Sequence, residues 1–289
     1  MSSLSPSPAR ALSSLAVRPR KSRGQNFLVQ PAVAARIVAA LKIQPGDTVV
    51  EIGPGLGILS ELLAREPLRR LCLVEVDPRL AARLAAHFQA DSRTEVLNRD
   101  FLATDLSALA AASPVRVIGN LPFNIASAIL ERLREFHEVI TRMVLMFQRE
   151  VAERIRARAG SRAYGALSVF TALYWDVQSH FRVAAGSFHP RPEVDAEVLV
   201  LAPRPALAFA PEEEKRVLAT VRAAFSAPRK TVRNSLAGGL GLDAPAAEAA
   251  LKRAAIDPAA RPGTLATADF VRLVRALGPL ARVEVARDA

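Results

Sequence analysis

Short apolar runs alternate with longer amphipathic stretches through the first part of the chain. The apolar runs are rich in Val, Ile and Leu and predict strands at Thr48–Ile52, Leu71–Val76, Glu95–Asn98, Val115–Ile118 and Arg142–Phe147. The stretches beside them repeat at helical spacing and predict helices at Pro31–Leu41, Leu59–Ala64, Pro78–Gln89, Ala126–Phe136 and Arg149–Arg158. Because alternating strands and helices indicate parallel βαβ units, we expect an α/β fold with a doubly wound sheet covered on both faces.

The pattern changes in the second part of the chain. A further helix is predicted at Tyr164–Leu173, before two antiparallel edge strands at Val177–Arg182 and Glu197–Leu201. Residues 203–205, Pro-Arg-Pro, are typical of a linker, and from about Pro211 onward the periodicity is helical. We therefore expect a disordered basic tail at 1–20, an α/β domain at 21–205 and a small C-terminal all-helical domain at 206–289.

Composition and charge favour a globular protein with a polyanionic partner. Of the 289 residues, 51% are hydrophobic and 23% are charged, and the formal net charge is +11. A compositional bias of the source genome is the alternative explanation of the charge. Met1 to Gly46 contain no Asp or Glu, so the basic character is concentrated at the front. The tail also has the Ser and Arg content of an organelle transit peptide, although no cleavage site marks one.

Other residue counts exclude several kinds of site. The single cysteine, Cys72, lies in a predicted strand, so the sequence predicts no intramolecular disulfide and favours a reducing compartment. The four histidines are scattered without ligand spacing, and we expect no metal. No apolar run approaches the roughly 20 residues that cross a bilayer, so we expect no membrane contact.

A glycine-rich loop follows the first buried strand. The sequence around it reads Glu51-Ile-Gly53-Pro-Gly55-Leu-Gly57, where glycines permit a tight turn and let a ligand approach the backbone. An ordinary βα turn is the alternative. Glu75 lies near the end of the next strand, about 20 residues after the loop, the separation at which an acid meets ribose hydroxyls. The alternative is that Glu75 and Asp77 only begin the next helix. Asp100 ends the third strand, where it could accept from an adenine amine or cap a helix.

The fourth strand ends in Asn120-Leu121-Pro122-Phe123. An exocyclic amine attacks poorly because its lone pair is delocalised into the ring, and acceptors that draw its hydrogens out of plane make it more reactive. The Asn120 side-chain oxygen and the Leu121 carbonyl could accept these hydrogens. Pro122 restricts the chain and favours an extended conformation of Leu121. Phe123 offers a flat face for a base. The alternative is a turn that begins a helix, with Phe123 in the core.

Several segments carry a resemblance to known families. Residues 51–57, 75–77 and 120–123 resemble the amino-methyltransferases that use S-adenosylmethionine, whose first motif has the Gly-x-Gly-x-Gly spacing. The sequence is also similar to the ribosomal RNA adenine N6-dimethyltransferase family in Arg23-Gly-Gln-Asn26-Phe-Leu28, in Ser187-Phe-His-Pro-Arg-Pro-Glu-Val-Asp195 and in Phe225-Ser-Ala-Pro-Arg-Lys-Thr-Val-Arg-Asn-Ser-Leu236. The likeness extends from about Lys21 to the C-terminus.

The resemblance implies a fold, a reaction and a set of site residues. It implies a Rossmann-like S-adenosylmethionine-dependent methyltransferase sheet, and dimethylation of two adjacent adenosines near the 3′ end of small-subunit (16S) rRNA. The implied donor-binding residues are Asn26, Leu28, Gly53, Gly55, Glu75, Asp100 and Asn120. The implied catalytic residues are Asn120, Leu121, Pro122 and Phe123. Two positions depart from the family pattern, because Tyr is usual at Phe123 and Ser is usual at Ala196.

The expected partner is small-subunit rRNA within an immature 30S particle, bound by a cytoplasmic monomer. Phosphate contacts are expected from Lys21 and Arg23, and from Arg229, Lys230 and Arg233 on a helix that Pro228 begins; a solvated helix face is the alternative. Other functions stay open at this point. They are a large-subunit rRNA methyltransferase of the macrolide-resistance type, a non-catalytic ribosome-assembly or mitochondrial transcription factor, and a dinucleotide oxidoreductase, which the glycine spacing disfavours.

Overall fold

The computed structural model describes residues 26–107, 114–122 and 125–278. The strands are β1 (Phe27–Leu28), β2 (Thr48–Ile52), β3 (Arg70–Glu75), β4 (Thr94–Asn98), β5 (Val115–Asn120), β6 (Ile140–Gln148), β7 (Trp175–Val183), β8 (Phe188–His189) and β9 (Ala196–Pro203). The helices are α1 (Pro31–Leu41), α2 (Ile58–Leu63), α3 (Pro78–Phe88), α4 (Ala126–Arg134), α5 (Arg149–Ile155), α6 (Ala166–Tyr174), α7 (Glu214–Phe225), α8 (Val232–Leu240), α9 (Ala244–Arg253) and α10 (Thr267–Leu277). The predicted tail, Lys21, Arg23 and Phe123 lie outside the described residues.

A seven-stranded sheet has the order β4-β3-β2-β5-β6-β9-β7. Strands β2 to β6 pair in parallel, and β9 pairs antiparallel with β6. All five residues of β2 are buried, as expected for a central strand covered on both faces. The chain proceeds outward from β2 to β4 and then returns to β5 on the other side of β2. This reversal opens a crevice at the carboxyl ends of β2 and β5, where ligands of such sheets bind.

The core of the sheet depends on the apolar stripes of its helices. Ile37 and Leu41 of α1 and Leu63 of α2 pack in one cluster with strand residues such as Val49 and Leu71, all almost fully buried. The alternation of apolar and polar residues in the sequence therefore predicted the correct inner faces. This rigid layer fixes the strand ends around the crevice.

Several sequence-predicted elements end one to three residues earlier than expected. The strand predicted at Leu71–Val76 ends at Glu75, and Val76 is 47% exposed because the chain leaves the sheet there for the crevice. The helix predicted at Arg149–Arg158 ends at Ile155. A run of turns follows it, with Gly160 at φ +85° and its amide bonded to the carbonyl of Gly263 at 2.7 Å. The chain after Ile155 therefore continues as turns that are tied to Gly263 and not as a helix.

The described chain divides into two compact units. Residues up to Ala152 and Asp176–Pro203 form the first, and Glu153–Trp175 joins the residues from Arg204 onward in the second. The sequence placed Glu153–Trp175 in the α/β domain, whereas in the structure these residues group with the second unit. Tertiary hydrogen bonds explain the difference, because the Tyr164 hydroxyl donates to the Leu265 carbonyl at 2.8 Å and the Tyr174 hydroxyl donates to Glu214 at 2.7 Å.

Throughout the part of the chain that is described, helices are too short or too polar to cross a membrane. The same residues contain no group of three His, Cys, Asp or Glu side chains arranged to hold a metal ion.

Candidate active site

A cavity of about 330 Å³ lies at the carboxyl ends of β2, β3 and β5, at the point where the strand order reverses. The structure brings most of the predicted site residues to this one place. Those that line the cavity are Asn26, Leu28, Gly53, Gly55, Glu75, Asp100, Asn120, Leu121 and Pro122. They come from five separate segments of the chain, and the parallel sheet collects them at one edge.

The glycine loop after β2 is closely covered by the segment before α1. Gly53 and Gly55 have φ of 64° and 57°, a region that glycine adopts without strain. A Cβ built on Gly55 would lie 2.9 Å from Cδ1 of Phe27, whereas one on Gly53 would meet nothing within 4 Å. Gly55 is therefore needed for its backbone conformation and for the contact with Phe27.

Glu75 is held at the end of β3 by two backbone amides. Its Oε2 accepts from the amide of Gly55 at 3.0 Å, and its Oε1 accepts from the amide of Asp77 at 2.9 Å. Burial raises the pKa of Glu75, while the amides of Asp77 and Gly55 oppose that rise. Asp77 caps α3 by accepting from the amide of Arg79. The two acids thus have different roles, since Asp77 begins the helix and Glu75 lines the cavity.

Glu51 also lines the cavity, although the sequence prediction used it only to identify the loop. It is 1% exposed, and the hydroxyl of Ser60 donates to its Oε2 at 2.6 Å. Burial raises the pKa of Glu51 to about 8; the Ser60 hydrogen bond acts against this and the nearby Glu75 adds to it. The sequence signal that could have identified Glu51 as a site residue is an acidic residue within a mostly apolar predicted strand. Val76 and Leu56 are further lining residues that only the fold reveals.

Asp100 has the capping role that was the alternative in the sequence analysis, and it also lies at the cavity, where its contact with an adenine amine stays a prediction. Its Oδ1 accepts from the amide of Leu102 at 2.9 Å and so caps a short 3-10 turn, Phe101–Ala103. The same side chain lines the cavity. Capping fixes the carboxyl at the rim, close to the end of β4.

Asn120, the last residue of β5, has a fixed side-chain orientation. Its Nδ2 donates to the backbone carbonyl of Asn26 at 2.8 Å. The next amide, that of Leu121, donates to the carbonyl of Met146 at 3.1 Å and so extends the pairing with β6 by one residue. An amide side chain has one donor end and one acceptor end, so the contact of Nδ2 with a carbonyl leaves Oδ1 on the other side.

The charge of the cavity suits a cationic ligand. Two carboxyl side chains that line it, those of Glu75 and Asp100, can supply negative charge, whereas Glu51, with a pKa of about 8, is mostly protonated at neutral pH. Among the lining residues in the described part of the chain none is Lys or Arg. Apolar side chains and backbone amides of the glycine loop complete the wall. Such a site can accept hydrogen bonds from hydroxyl and amino groups and can stabilise a positive charge.

The predicted RNA-binding residues of the second unit lie near the start of α8. The helix begins at Val232 after the cap Thr231, and not at Pro228 as the sequence predicted, because the Thr231 side chain accepts from the amide of Asn234. Arg229 and Lys230 therefore lie in the turn before the helix and are exposed. Arg233 lies in the helix and pairs with Glu248 at 3.1 Å, so part of its charge is balanced.

Further exposed arginines of the second unit lie in segments joined to this turn. The amide of Val232 donates to the carbonyl of Ala260 at 2.8 Å, which places Arg261 beside the start of α8. The segment that follows Arg261 is bonded in turn to Gly160, which lies between Arg158 and Arg162. All three arginines are exposed. The sequence prediction missed them because the segments that carry them are far apart along the chain.

Comparison with known sequences gives consistent relatives. The family model described as ribosomal RNA adenine dimethylase matches residues 16–277. Ribosomal RNA small subunit methyltransferase A of Geobacter metallireducens is 40% identical over 267 residues, which cover 90% of this chain and 96% of that protein. The protein of the same name from Methylococcus capsulatus is 42% identical over 265 residues, which cover 90% of this chain and 98% of that protein.

Solved structures show the same fold. A dimethyladenosine transferase from Plasmodium falciparum superposes with a TM-score of 0.73 at 24% identity, covering 86% of this chain and 95% of that chain. The 23S rRNA methyltransferase ErmE superposes with a TM-score of 0.66 at 26% identity, covering 88% of this chain and 100% of that chain. The predicted Rossmann-like methyltransferase fold is thereby confirmed.

Proposed function

Because the chain belongs to the ribosomal RNA adenine dimethylase family, we propose that it methylates the N6 amines of two adjacent adenosines near the 3′ end of small-subunit (16S) rRNA. The product is N6,N6-dimethyladenosine and the methyl donor is S-adenosyl-L-methionine. The observation that supports this most strongly is the cavity that unites Glu75, Asp100 and Asn120.

The residues of the cavity fit this donor. The two oxygens of Glu75 each accept one backbone amide and keep a second lone pair for the ribose hydroxyls. Asp100 would accept from the adenine amine at the rim, and Gly53 and Gly55 leave room for the methionine part beside Asn26 and Leu28. The carboxyl-rich lining suits a sulfonium cation. When bound, the donor supplies a methyl group that this positive charge has already activated.

Asn120 and Leu121 would act on the target amine. The hydrogen bond from Nδ2 of Asn120 to the Asn26 carbonyl turns Oδ1 of Asn120 away from that carbonyl. This Oδ1 would accept one hydrogen of the target amine, and the Leu121 carbonyl would accept the other. Holding the nitrogen in line with the methyl group supplies most of the rate enhancement. No general base is required, because the amine proton becomes acidic once the nitrogen is alkylated. Pro122 restricts the segment, and the role of Phe123 as a stacking surface stays a prediction.

We place the RNA contacts of the second unit on two sets of exposed cations. The first is the basic turn, defined as Arg229 and Lys230, and the second consists of Arg158, Arg162 and Arg261. Phosphate recognition needs exposed cations in fixed positions, and main-chain hydrogen bonds fix these segments. Lys21, Arg23 and Arg233 stay predicted contacts. We further propose that the substrate is an immature 30S particle and that the enzyme is a cytoplasmic monomer. The described residues that line the cavity all come from a single chain, which supports a monomer.

The alternatives are less well supported. ErmE acts on 23S rRNA by its name, but its identity to this chain is 26%, compared with 40% and more for relatives named for the small subunit. A purely non-catalytic role is disfavoured because the donor cavity and Asn120 are intact.

The proposal is tested by incubating the protein with labelled S-adenosylmethionine and immature small subunits, followed by mapping of modified nucleosides. We expect label in dimethyladenosine at two adjacent positions near the 3′ end of 16S rRNA. Large ribosomal subunits serve as the control substrate. Label in those subunits alone, or binding without label, would support one of the alternatives.

A further inference from the structure

The Ser187–Asp195 segment resembles the family, but the methyl transfer described above gives it no role. In the structure its first residues form a two-stranded sheet with the segment before α1, in which Phe27 pairs with His189 and Leu28 with Phe188. Phe27, Leu28 and Phe188 are all buried. Phe188 itself does not line the cavity, so its contribution is made through the strand that it faces.

The pairing continues one residue beyond the two strands. The amide of Val29 donates to the carbonyl of Ser187 at 2.9 Å, and Ser187 is itself nearly buried. Together, β1, β8 and this bond form a brace, defined here as residues 27–29 and 187–189. The brace fixes the direction in which the chain enters from Asn26.

The base of the brace is also anchored. The carboxylate Oδ1 of Asp195 accepts from the amide of Ala185 at 2.9 Å and holds the turn that leads into Ser187. The backbone carbonyl of Asp195 accepts from the amide of Arg149 at 3.0 Å, at the point where β6 ends. The segment is therefore attached to the main sheet at one end and to residues 27–29, which follow Asn26, at the other.

The carbonyl of Asn26 is what the brace presents to the cavity. It accepts from Nδ2 of Asn120 at 2.8 Å. A carbonyl can only accept, so a flip of the Asn120 amide would place two acceptor oxygens against each other. A fixed Asn26 carbonyl therefore selects the rotamer in which Oδ1 of Asn120 is the acceptor available to a substrate.

We propose that the brace is a positioning element for methyl transfer: it holds the Asn26 carbonyl so that the Asn120 side-chain amide keeps a single orientation. The inference rests on the proposed function, because it assigns the acceptor oxygen of that reaction. Val29 and Asp195 are positioning residues in this scheme. They act through Ser187 and Asn26 and do not touch the reacting atoms.

The test removes one hydrogen bond of the brace. Val29→Pro deletes the amide that donates to Ser187, and Leu28 before it is already extended, as proline requires. Val29→Ala is the matched control, because it shortens the side chain and keeps the amide. We expect kcat at saturating donor to fall on the order of 10- to 100-fold in Val29→Pro and to stay near that of the unaltered enzyme in Val29→Ala. The fall in kcat should exceed any loss of donor affinity.

A second readout needs no activity. In protein labelled with ¹⁵N at asparagine, the Nδ2 protons of Asn120 should show the downfield shift and slow exchange of a hydrogen-bonded amide. Their signals are assigned by their absence in Asn120→Asp. We expect them to move to the positions of a free side-chain amide in Val29→Pro and to stay unchanged in Val29→Ala.

The two readouts separate the possible failures. Unchanged Asn120 signals in Val29→Pro overturn the brace, whether or not kcat falls. Signals that move while the unaltered protein transfers no methyl group leave the brace intact and refute the proposed function. If Val29→Pro does not fold, Asp195→Ala and the acceptor-preserving Asp195→Asn are compared in the same way. Because Asp195 is exposed, the alanine variant should have a smaller effect, and equal effects of the two variants would overturn the proposal.

Discussion

The backbone amide of Gly55 donates a hydrogen bond of 3.0 Å to Oε2 of Glu75, although the two residues are 20 positions apart. The bond joins the loop after β2 to the end of β3. Each group is held by the other, so the loop and the acid form one preorganised wall of the cavity. Preorganisation reduces the cost of ordering the site when a ligand binds.

The first prediction concerns this wall. Glu75→Gln would present an amide group to a backbone amide, so one of the two hydrogen bonds would be lost and the loop displaced. We expect the Kd for S-adenosylmethionine, measured by calorimetry, to rise about 10- to 100-fold. The exposed Glu150→Gln on α5 is the matched control. An unchanged Kd in Glu75→Gln would exclude Glu75 from the donor site.

The second prediction concerns Glu51 and the dependence of stability on pH. Its pKa in the folded protein is about 8 and its ordinary value is 4.5, so the folded state binds one more proton between these pH values. The free energy of unfolding should therefore fall by a few kcal/mol as pH rises from about 4.5 to about 8, and this contribution should then stay constant.

Glu51→Gln cannot ionise and should lack that contribution. Urea unfolding of both proteins at several pH values gives the difference between their free energies of unfolding. We expect this difference to change over the stated range, with the unaltered protein losing stability relative to the variant. Parallel curves would mean that Glu51 is not buried as the structure shows.

The third prediction compares two glycines. Gly53→Ala should cost about 1 kcal/mol, because alanine is strained at positive φ but meets no neighbour. Gly55→Ala should lower the free energy of unfolding by about 1–3 kcal/mol more than Gly53→Ala does, because its Cβ would displace Phe27. Both are measured by urea unfolding. The double variant Gly55→Ala with Phe27→Leu should recover part of the loss, and equal costs for the two glycines would contradict the contact.

The fourth prediction concerns the acceptor oxygen. Asn120→Ala should reduce methyl transfer on the order of 10²- to 10³-fold, because one acceptor of the target amine is removed. The thermal unfolding midpoint should change little, since Asn120 is only partly buried. Gln178→Ala, an exposed amide on β7, is the control. Full activity of Asn120→Ala in a labelled-donor assay would refute the assigned role.

The fifth prediction concerns the basic turn. Lys230→Ala should weaken RNA binding and lower the slope of log K against log salt by about 1, because one phosphate contact is lost. Lys215→Ala removes the same charge from the exposed surface of α7 and should leave the slope unchanged. Filter binding at several salt concentrations measures both. Equal slopes for the two variants would show that only net charge matters.

The sequence by itself determined the alternating part of the fold and most of the candidate site. Strand and helix periods are local properties, so the strands from β2 to β6 and the helices between them were predicted within a few residues. The motif residues at the strand ends lie around one cavity, as expected, since parallel strands bring their carboxyl ends to one edge. The resemblance then supplied roles for Asn26 and Leu28 that no local pattern contains.

Only the tertiary structure decided which distant groups meet. Glu153–Trp175 groups with the second unit, to which its two tyrosines are hydrogen-bonded, and helix α5 ends at Ile155, ahead of the turns in which Gly160 is bonded to Gly263. The orientation of Asn120 depends on a carbonyl 94 residues away. Periodicity reports which face of an element is buried but not what packs against it. Long-range hydrogen bonds of the backbone therefore had to be seen, because their partners carry no signal in the residue types.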